Sequence, residues 1–191
     1  GLVILANQQT AGRGRLGRDF YSPPDTGLYL SLLLRPRQMQ PQHATRITTM
    51  AALAACEAIE AVTQQQPQIK WVNDIFLEGK KVCGILTEGS FNLETGQLDD
   101  VVVGVGFNVY PPAGGFPPEI AEIADSILQK QHSGTKNKLA AAFLNFFFQI
   151  YRGESDYASA YRARSMVIGK SIVVSTPTAS RNASALDIDR D

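Results

Sequence analysis

Residues that build metal centres and disulfide frameworks are scarce: two cysteines and two histidines among 191 residues. Cys56 lies in an apolar run of helical period and Cys83 in a strand-like run, neither with a Cys or His at ligand spacing. Both read as small core residues, and unpaired thiols fit a reducing cytoplasm. An excess of charge of one sign is also missing. Eighteen Lys and Arg balance eighteen Asp and Glu, which argues against a general polyanion binder, because such proteins carry a basic surface. No apolar run approaches the length of about 20 residues that crosses a bilayer. No segment has the form of a secretory leader, so a soluble chain without a membrane partner is expected. What is present is ordinary for a globular protein: 44% hydrophobic and 19% charged residues, in a length that supports one domain with a core and a small appendage.

Along the chain, residues 2–8 read as a buried strand and 27–36 as a second, closed by Pro36. From about 42 to 65 small and apolar residues recur at helical spacing, which predicts a long helix. Residues 68–77 and 80–91 read as a hairpin turning at Glu78-Gly79, and 99–110 as a further strand. "PPAGGFPP" is unfit for regular structure; helix-like segments follow at 118–129, 135–152 and 154–163, then strands at 169–176 and 183–189. The class is α+β, a mixed or antiparallel sheet with flanking helices. A first domain is expected over 1–165 and the start of a small β domain over 166–191, and both ends of the chain read as cut.

The stretch "TAGRGRLGRDFYSPP" contains a formal G-x-G-x-x-G at Gly12, Gly14 and Gly17. A dinucleotide fold requires a helix to start at that loop, so that its first amides meet the pyrophosphate. Here the chain continues through Asp19, Phe20 and Tyr21 to Pro23-Pro24, and no amphipathic helix begins before residue 42. What remains is a glycine loop carrying Arg13, Arg15 and Arg18. Guanidinium forks suit carboxylates and phosphates, so a loop that orders around an anionic ligand is expected. A solvated surface loop and an RNA-touching Arg-Gly element are the alternatives.

Two more stretches stand out. "IKWVNDIF" places Lys70 beside the sole tryptophan; continuous alternation would put Lys70, Val72, Asp74 and Phe76 on one face and Ile69, Trp71, Asn73 and Ile75 on the other. In "VVVGVGFNV" the odd positions Val101 to Val109 form an apolar face, whereas Gly104, Gly106 and Asn108 share the other. Side-by-side glycines leave a dent that admits a ligand or another backbone, and Gly84 is expected to extend it on the neighbouring strand. Cations beside such a dent suit carboxylate activation by a nucleotide, where fixed positive charge stabilises the developing charge at the α-phosphate.

"QTAGRGRLGR", "KWVNDI", "KKVCGILTE" and "VVVGVGFNV" resemble, in order and spacing, the motifs of the biotin–protein ligases, over roughly residues 1–165. The resemblance implies a fold like that of class II aminoacyl-tRNA synthetases, with a C-terminal SH3-like domain of which 166–191 would be the first part. It implies formation of biotinyl-5′-AMP from biotin and ATP with Mg²⁺, then transfer to a lysine of a biotin carboxyl carrier domain. By position, Gln9, Gly12, Arg13, Gly14 and Arg15 would contact biotin and its adenylate, with Lys70 as the main catalytic cation and Arg15 beside it. Gly84, Gly104 and Gly106 would floor the biotin pocket and Asn108 would reach the nucleotide.

Three departures from the family pattern matter. Val72 stands where the family has proline in its "KWPND" motif. The family's Ser-Thr-Asn biotin segment lies upstream of the arginine loop and is not in this sequence, so poor biotin binding, or none, is expected of the chain as given. The helix-turn-helix by which some members bind DNA is likewise outside it, and DNA becomes a partner only if such a domain precedes Gly1. The resemblance also implies a homodimer as a candidate assembly, since family members often pair sheet edges. A biotin-responsive repressor domain and a lipoate or octanoate ligase are the competing functions.

Overall fold

A computed structural model of the chain describes residues 1–36, 40, 44–92, 94–153, 156–176 and 178–189. Strands β1 (Leu2–Ala6), β2 (Gly27–Leu34), β3 (Gln68–Lys70), β4 (Asp74–Leu77), β5 (Lys80–Phe91) and β6 (Leu98–Asn108) form one antiparallel sheet in the order β1-β2-β6-β5-β4-β3. The parity of β6 decides which face is inside. Val101, Val103, Val105 and Phe107 are buried, and they lie opposite Leu34, Leu32, Leu30 and Leu28 of β2. On the other flank Val105 and Phe107 meet Ile85 and Cys83 of β5.

Helices α1 (Ala44–Thr63) and α3 (Thr135–Tyr151) cover this face; α2 (Pro118–Ala121) and α4 (Tyr157–Ala163) are short. In α1 the run Ala51 to Cys56 is buried throughout, because the helix is held between the sheet and α3. Its small side chains allow close approach on both sides. Phe143 of α3 meets Phe107 edge-on, with centroids 6.0 Å apart, and stacks on Phe147 at 5.9 Å. Burying side chains of this size contributes about 1.5–3 kcal/mol each. At the turn after β4, Glu78 and Gly79 have φ of 49° and 80°, the left-handed pair that a two-residue hairpin of type I′ requires.

Four sequence expectations are corrected. The strand read as buried over residues 2–8 is Leu2–Ala6 (β1), and its Leu2, Ile4 and Leu5 side chains are exposed, because β1 is an edge strand paired only with β2. The single strand predicted over 68–77 is two strands that reverse at residues 71–73, so Ile69 pairs with Ile75 and Lys70 with Asp74. Alternation cannot run through a reversal: Val72 is buried and Trp71 half exposed. The tip is fixed by tertiary bonds, with the Tyr161 hydroxyl donating to the Val72 carbonyl at 3.1 Å and the Ile85 amide to the Asn73 carbonyl at 3.0 Å. Of the helix predicted over 118–129, only Pro118–Ala121 is helical. The rest is drawn against the sheet, with Lys81 N donating to Ile123 O at 2.8 Å and Ile127 N to Asn108 O at 2.8 Å. The final strand is Ser180–Ser184 (β8), paired with β7 (Ser171–Ser175), and not 183–189. Residues 186–189 instead fold back to α4, where Arg162 Nε donates to Ile188 O at 2.8 Å.

The start of the long helix at residues 42 and 43, and residues 154–155 of the helix expected over 154–163, lie outside the described residues. Edge strand β3 is covered by the chain leaving α4. Ile69 N donates to Arg164 O at 2.8 Å and Met166 N to Ile69 O at 3.0 Å. Arg164 is anchored below by Glu57, at 2.8 Å, and Glu60 of α1. Among the described residues no helix is long and apolar enough to cross a membrane.

Candidate active site

On the sheet face turned away from the helices, the registers line up Tyr29, Gly106, Gly84 and Asp74 across four adjacent strands, and Ser31, Gly104 and Leu86 in the next row. The dent inferred from parity therefore spans two strands, as Gly84 and Gly106 are directly opposite.

The chain between β1 and β2 folds over this floor. Its ends are tied by Gln9 N to Ser22 O at 3.2 Å, Phe20 N to Gly12 O at 2.9 Å and Gly14 N to Arg18 O at 2.7 Å. Glycine is required at position 12 because a β-carbon there would run into the Phe20 carbonyl and stand 2.6 Å from Ser22 Oγ. Leu16, almost wholly exposed, holds a φ of 58°. That conformation strains a non-glycine residue.

Closing the loop lays the Phe20 ring on the glycines. A β-carbon at Gly84 would stand 2.9 Å from Phe20 Cε2, and one at Gly106 would overlap the ring. Gly104 stays uncovered, its nearest prospective neighbour being Leu86 O at 3.5 Å. Over it lies a cavity of about 200 Å³ whose lining includes Gln9, Arg13, Gly14, Arg15, Asn73, Lys81, Gly84, Gly104 and Gly106. Burial raises the pKa of Tyr29, another lining residue, so it stays a neutral donor, to Pro23 O at 3.2 Å.

Three cations reach this cavity. Arg13 Nη2 stands 3.3 Å from Glu88 Oε2, and Arg15 Nη1 donates to Asn73 Oδ1 at 3.0 Å. The Arg13–Glu88 pair is mostly exposed, with side-chain accessibilities of 72% and 49%, and such a pair contributes about 0–1 kcal/mol. It is therefore easily exchanged for a ligand anion. Lys81 Nζ lies 2.7 Å from Asp74 Oδ1, an ionic contact outside hydrogen-bond angles, and 5.9 Å from the Phe20 ring centre.

Lys81, not Lys70, is thus the ammonium at the cavity. Lys70 points to the same sheet face but opposite Asp74 on the outermost strand, two strands beyond Gly84, about 10 Å along the row. It is exposed, with Nζ 5.6 Å from the Phe76 ring centre. Strict alternation from Cys83 and Ile85 puts Lys81 in the core. The pairing of Ile75 with Cys83 but Phe76 with Lys81 leaves Val82 as an extra residue, and this bulge turns Lys81 to the cavity face. The clue in the sequence was a charged residue at a position where parity demanded an apolar one. Gly12 and Asn108 also lie off the cavity lining. Gly12 is buried behind the loop, and Asn108 Nδ2 donates to Asp125 O at 3.2 Å at the end of β6.

Glu88 and Asp74 offset two of the three positive charges, leaving a cationic rim over an uncharged, glycine-thinned floor. Such a site accepts a slender ligand with an anionic end. Residues 1–108 match the Biotin/lipoate A/B protein ligase family. The chain belongs to this family. A Biotin--[acetyl-CoA-carboxylase] ligase of Paracoccus denitrificans is 33% identical over 184 residues, covering 92% of this chain and 75% of that protein. The Bifunctional ligase/repressor BirA of Bacillus spizizenii is 38% identical over 157 residues, covering 82% of this chain. The chain spans 47% of that relative's length. Its fold is that of a biotin protein ligase from Aquifex aeolicus, solved in complex with biotin and ATP. The TM-score is 0.77 at 24% identity, over 98% of this chain and 78% of the other.

Proposed function

We propose that this chain is the catalytic region of an ATP-dependent biotin–protein ligase. The observation that carries the proposal is the meeting of Arg13 and Arg15, from one loop, with Lys81, from a strand some 65 residues further on, at one cavity over Gly104. In the first step a carboxylate oxygen of biotin attacks the α-phosphorus of ATP, the bond to the bridging oxygen breaks, and pyrophosphate leaves. In the second, a lysine amine of a biotin carboxyl carrier domain attacks the acyl carbon, gives up a proton, and AMP leaves.

The floor at Gly104 takes the thin apolar part of biotin, and Lys81 and Arg15 hold the two anionic reactants together and stabilise the charge at the α-phosphate. Gln9 and Gly14 line the same cavity. Asn108, on the Gly106 face of β6 one pair further along, marks the nucleotide side. Among the described residues no three His, Cys, Asp or Glu gather to hold an ion. That fits a Mg²⁺ that arrives on the nucleotide, held by phosphate oxygens and water.

The β7–β8 hairpin is the opening of a second, SH3-like unit, supported by its separate two-stranded pairing. Two free, buried thiols suit the cytoplasm. Exposed Leu2, Ile4 and Leu5 on edge strand β1 suit pairing of edges between two copies. Repression of transcription remains a second activity only because a similar protein carries that name.

The test is biotin-dependent release of pyrophosphate from ATP by the full-length protein, followed by transfer to a carrier domain. Release driven by lipoate in place of biotin would overturn the substrate assignment.

A further inference from the structure

We propose that Asn73 is the positioning residue of Arg15: its amide fixes where the guanidinium points and leaves that group's charge free for an anionic substrate. The inference rests on the functional reading above for what the charge is used on, but not for the geometry. Asn73 sits at the tip between β3 and β4, where two consecutive backbone carbonyls are engaged. Its own carbonyl accepts Ile85 N at 3.0 Å, and the preceding carbonyl accepts the buried Tyr161 hydroxyl at 3.1 Å. Its side-chain Nδ2 donates to Ile85 O at 2.8 Å. That bond commits the amide's only donor group to β5, so Oδ1 must face the loop, where it accepts Arg15 Nη1 at 3.0 Å. The reverse orientation would aim an NH₂ at a guanidinium and lose both bonds.

The neighbouring arginine shows the contrast. Arg13 is paired with a carboxylate, Glu88, which offsets its charge and must be exchanged before an anion can take its place. An aspartate at position 73 would do the same to Arg15. A neutral acceptor anchors it without competing with an incoming carboxylate or phosphate. This is the arrangement expected of a cation that must be pre-aimed yet remain attractive to an anion.

The experiment is hydrogen exchange at the amides of residues 13–18 in the unliganded full-length protein. It compares the native sequence with Asn73→Ala, Asn73→Asp, Arg15→Ala and the Asn73→Ala/Arg15→Ala pair. Alanine and aspartate both lose the donor to Ile85, and aspartate also sets an oxygen against the Ile85 carbonyl, so slower exchange in aspartate than in alanine reports the contact with Arg15. Asn73→Ala is expected to speed loop exchange about three- to tenfold, to the level of Arg15→Ala, with no further change in the double variant. Asn73→Asp is expected to slow exchange below the native rate while raising KM for the anionic substrates about tenfold.

Unchanged loop exchange in Asn73→Ala, additive effects in the double variant, or exchange in Asn73→Asp faster than in Asn73→Ala, with Arg15 kept in both, would each overturn the assignment. If the native protein releases no biotin-dependent pyrophosphate, the functional reading fails, and the exchange series still decides whether Asn73 aims Arg15.

Discussion

Gly106 lies directly beneath the ring of Phe20, close enough that a β-carbon there would stand 2.6 Å from Cζ. Gly106→Ala must displace the ring or the loop that carries it, and overpacking of this kind costs about 1–3 kcal/mol. Gly104→Ala has room, with nothing nearer than 3.5 Å. We expect the second variant to keep its melting temperature and lose ligand affinity, and the first to lose both. Thermal melts with biotin titrations separate the two. Equal stability loss at both positions would mean that Phe20 does not rest where the structure puts it.

Lys81 and Lys70 make a matched pair of controls. Lys81→Ala should reduce biotin-dependent pyrophosphate release by about 100-fold or more, as losing a cation that stabilises transition-state charge does. Lys70→Ala, on the outer strand, should change it by less than about threefold. The reverse order of effects would return the catalytic assignment to Lys70.

Arg164 joins α1 to the segment that covers β3, through Glu57 at 2.8 Å and Glu60. Its side chain is only 19% accessible. Arg164→Met leaves two partly buried carboxylates facing each other without a cation, and we expect a loss of about 1–3 kcal/mol, between the scales for an exposed and a buried pair. Adding Glu57→Gln and Glu60→Gln should recover much of it. Urea denaturation of the single and triple variants measures this, and no recovery would rule out uncompensated charge as the cause.

Burial pushes the Cys56 thiol up to about 12 from an ordinary value of 9, and burial raises that of Cys83 as well. An unfolded chain therefore ionises these thiols first. Their contribution to stability is complete below about pH 9 and is lost as pH rises above it, for Cys56 as pH approaches about 12. Replacing both with alanine should flatten the alkaline limb of the stability profile, measured by chemical denaturation between these limits. An unchanged alkaline slope would show that other groups set it.

Much of the fold was legible because burial writes a period into the chain. The alternation of Val101 to Phe107 chose the inner face of β6 and its glycine face, and the run from Ile47 to Ile59 announced α1. Misjudged elements were those whose backbone partners are remote. Residues 122–127 carry helix-forming side chains yet bond to Lys81 and Asn108, and the 71–73 reversal is held by Tyr161 and Ile85.

The sequence alone determined which residue types were present to bind an anion: the three-arginine loop, the paired lysines before Gly84, and the glycines at 104 and 106. It did so because these are local, chemical properties of the chain. Tertiary structure decided which of them meet. The extra residue at Val82 sends Lys81 to the cavity, the strand order leaves Lys70 at the edge, and the closed loop brings Phe20 over Gly84 and Gly106. A one-residue bulge reverses the direction of a side chain, and only the pairing of distant strands reveals it.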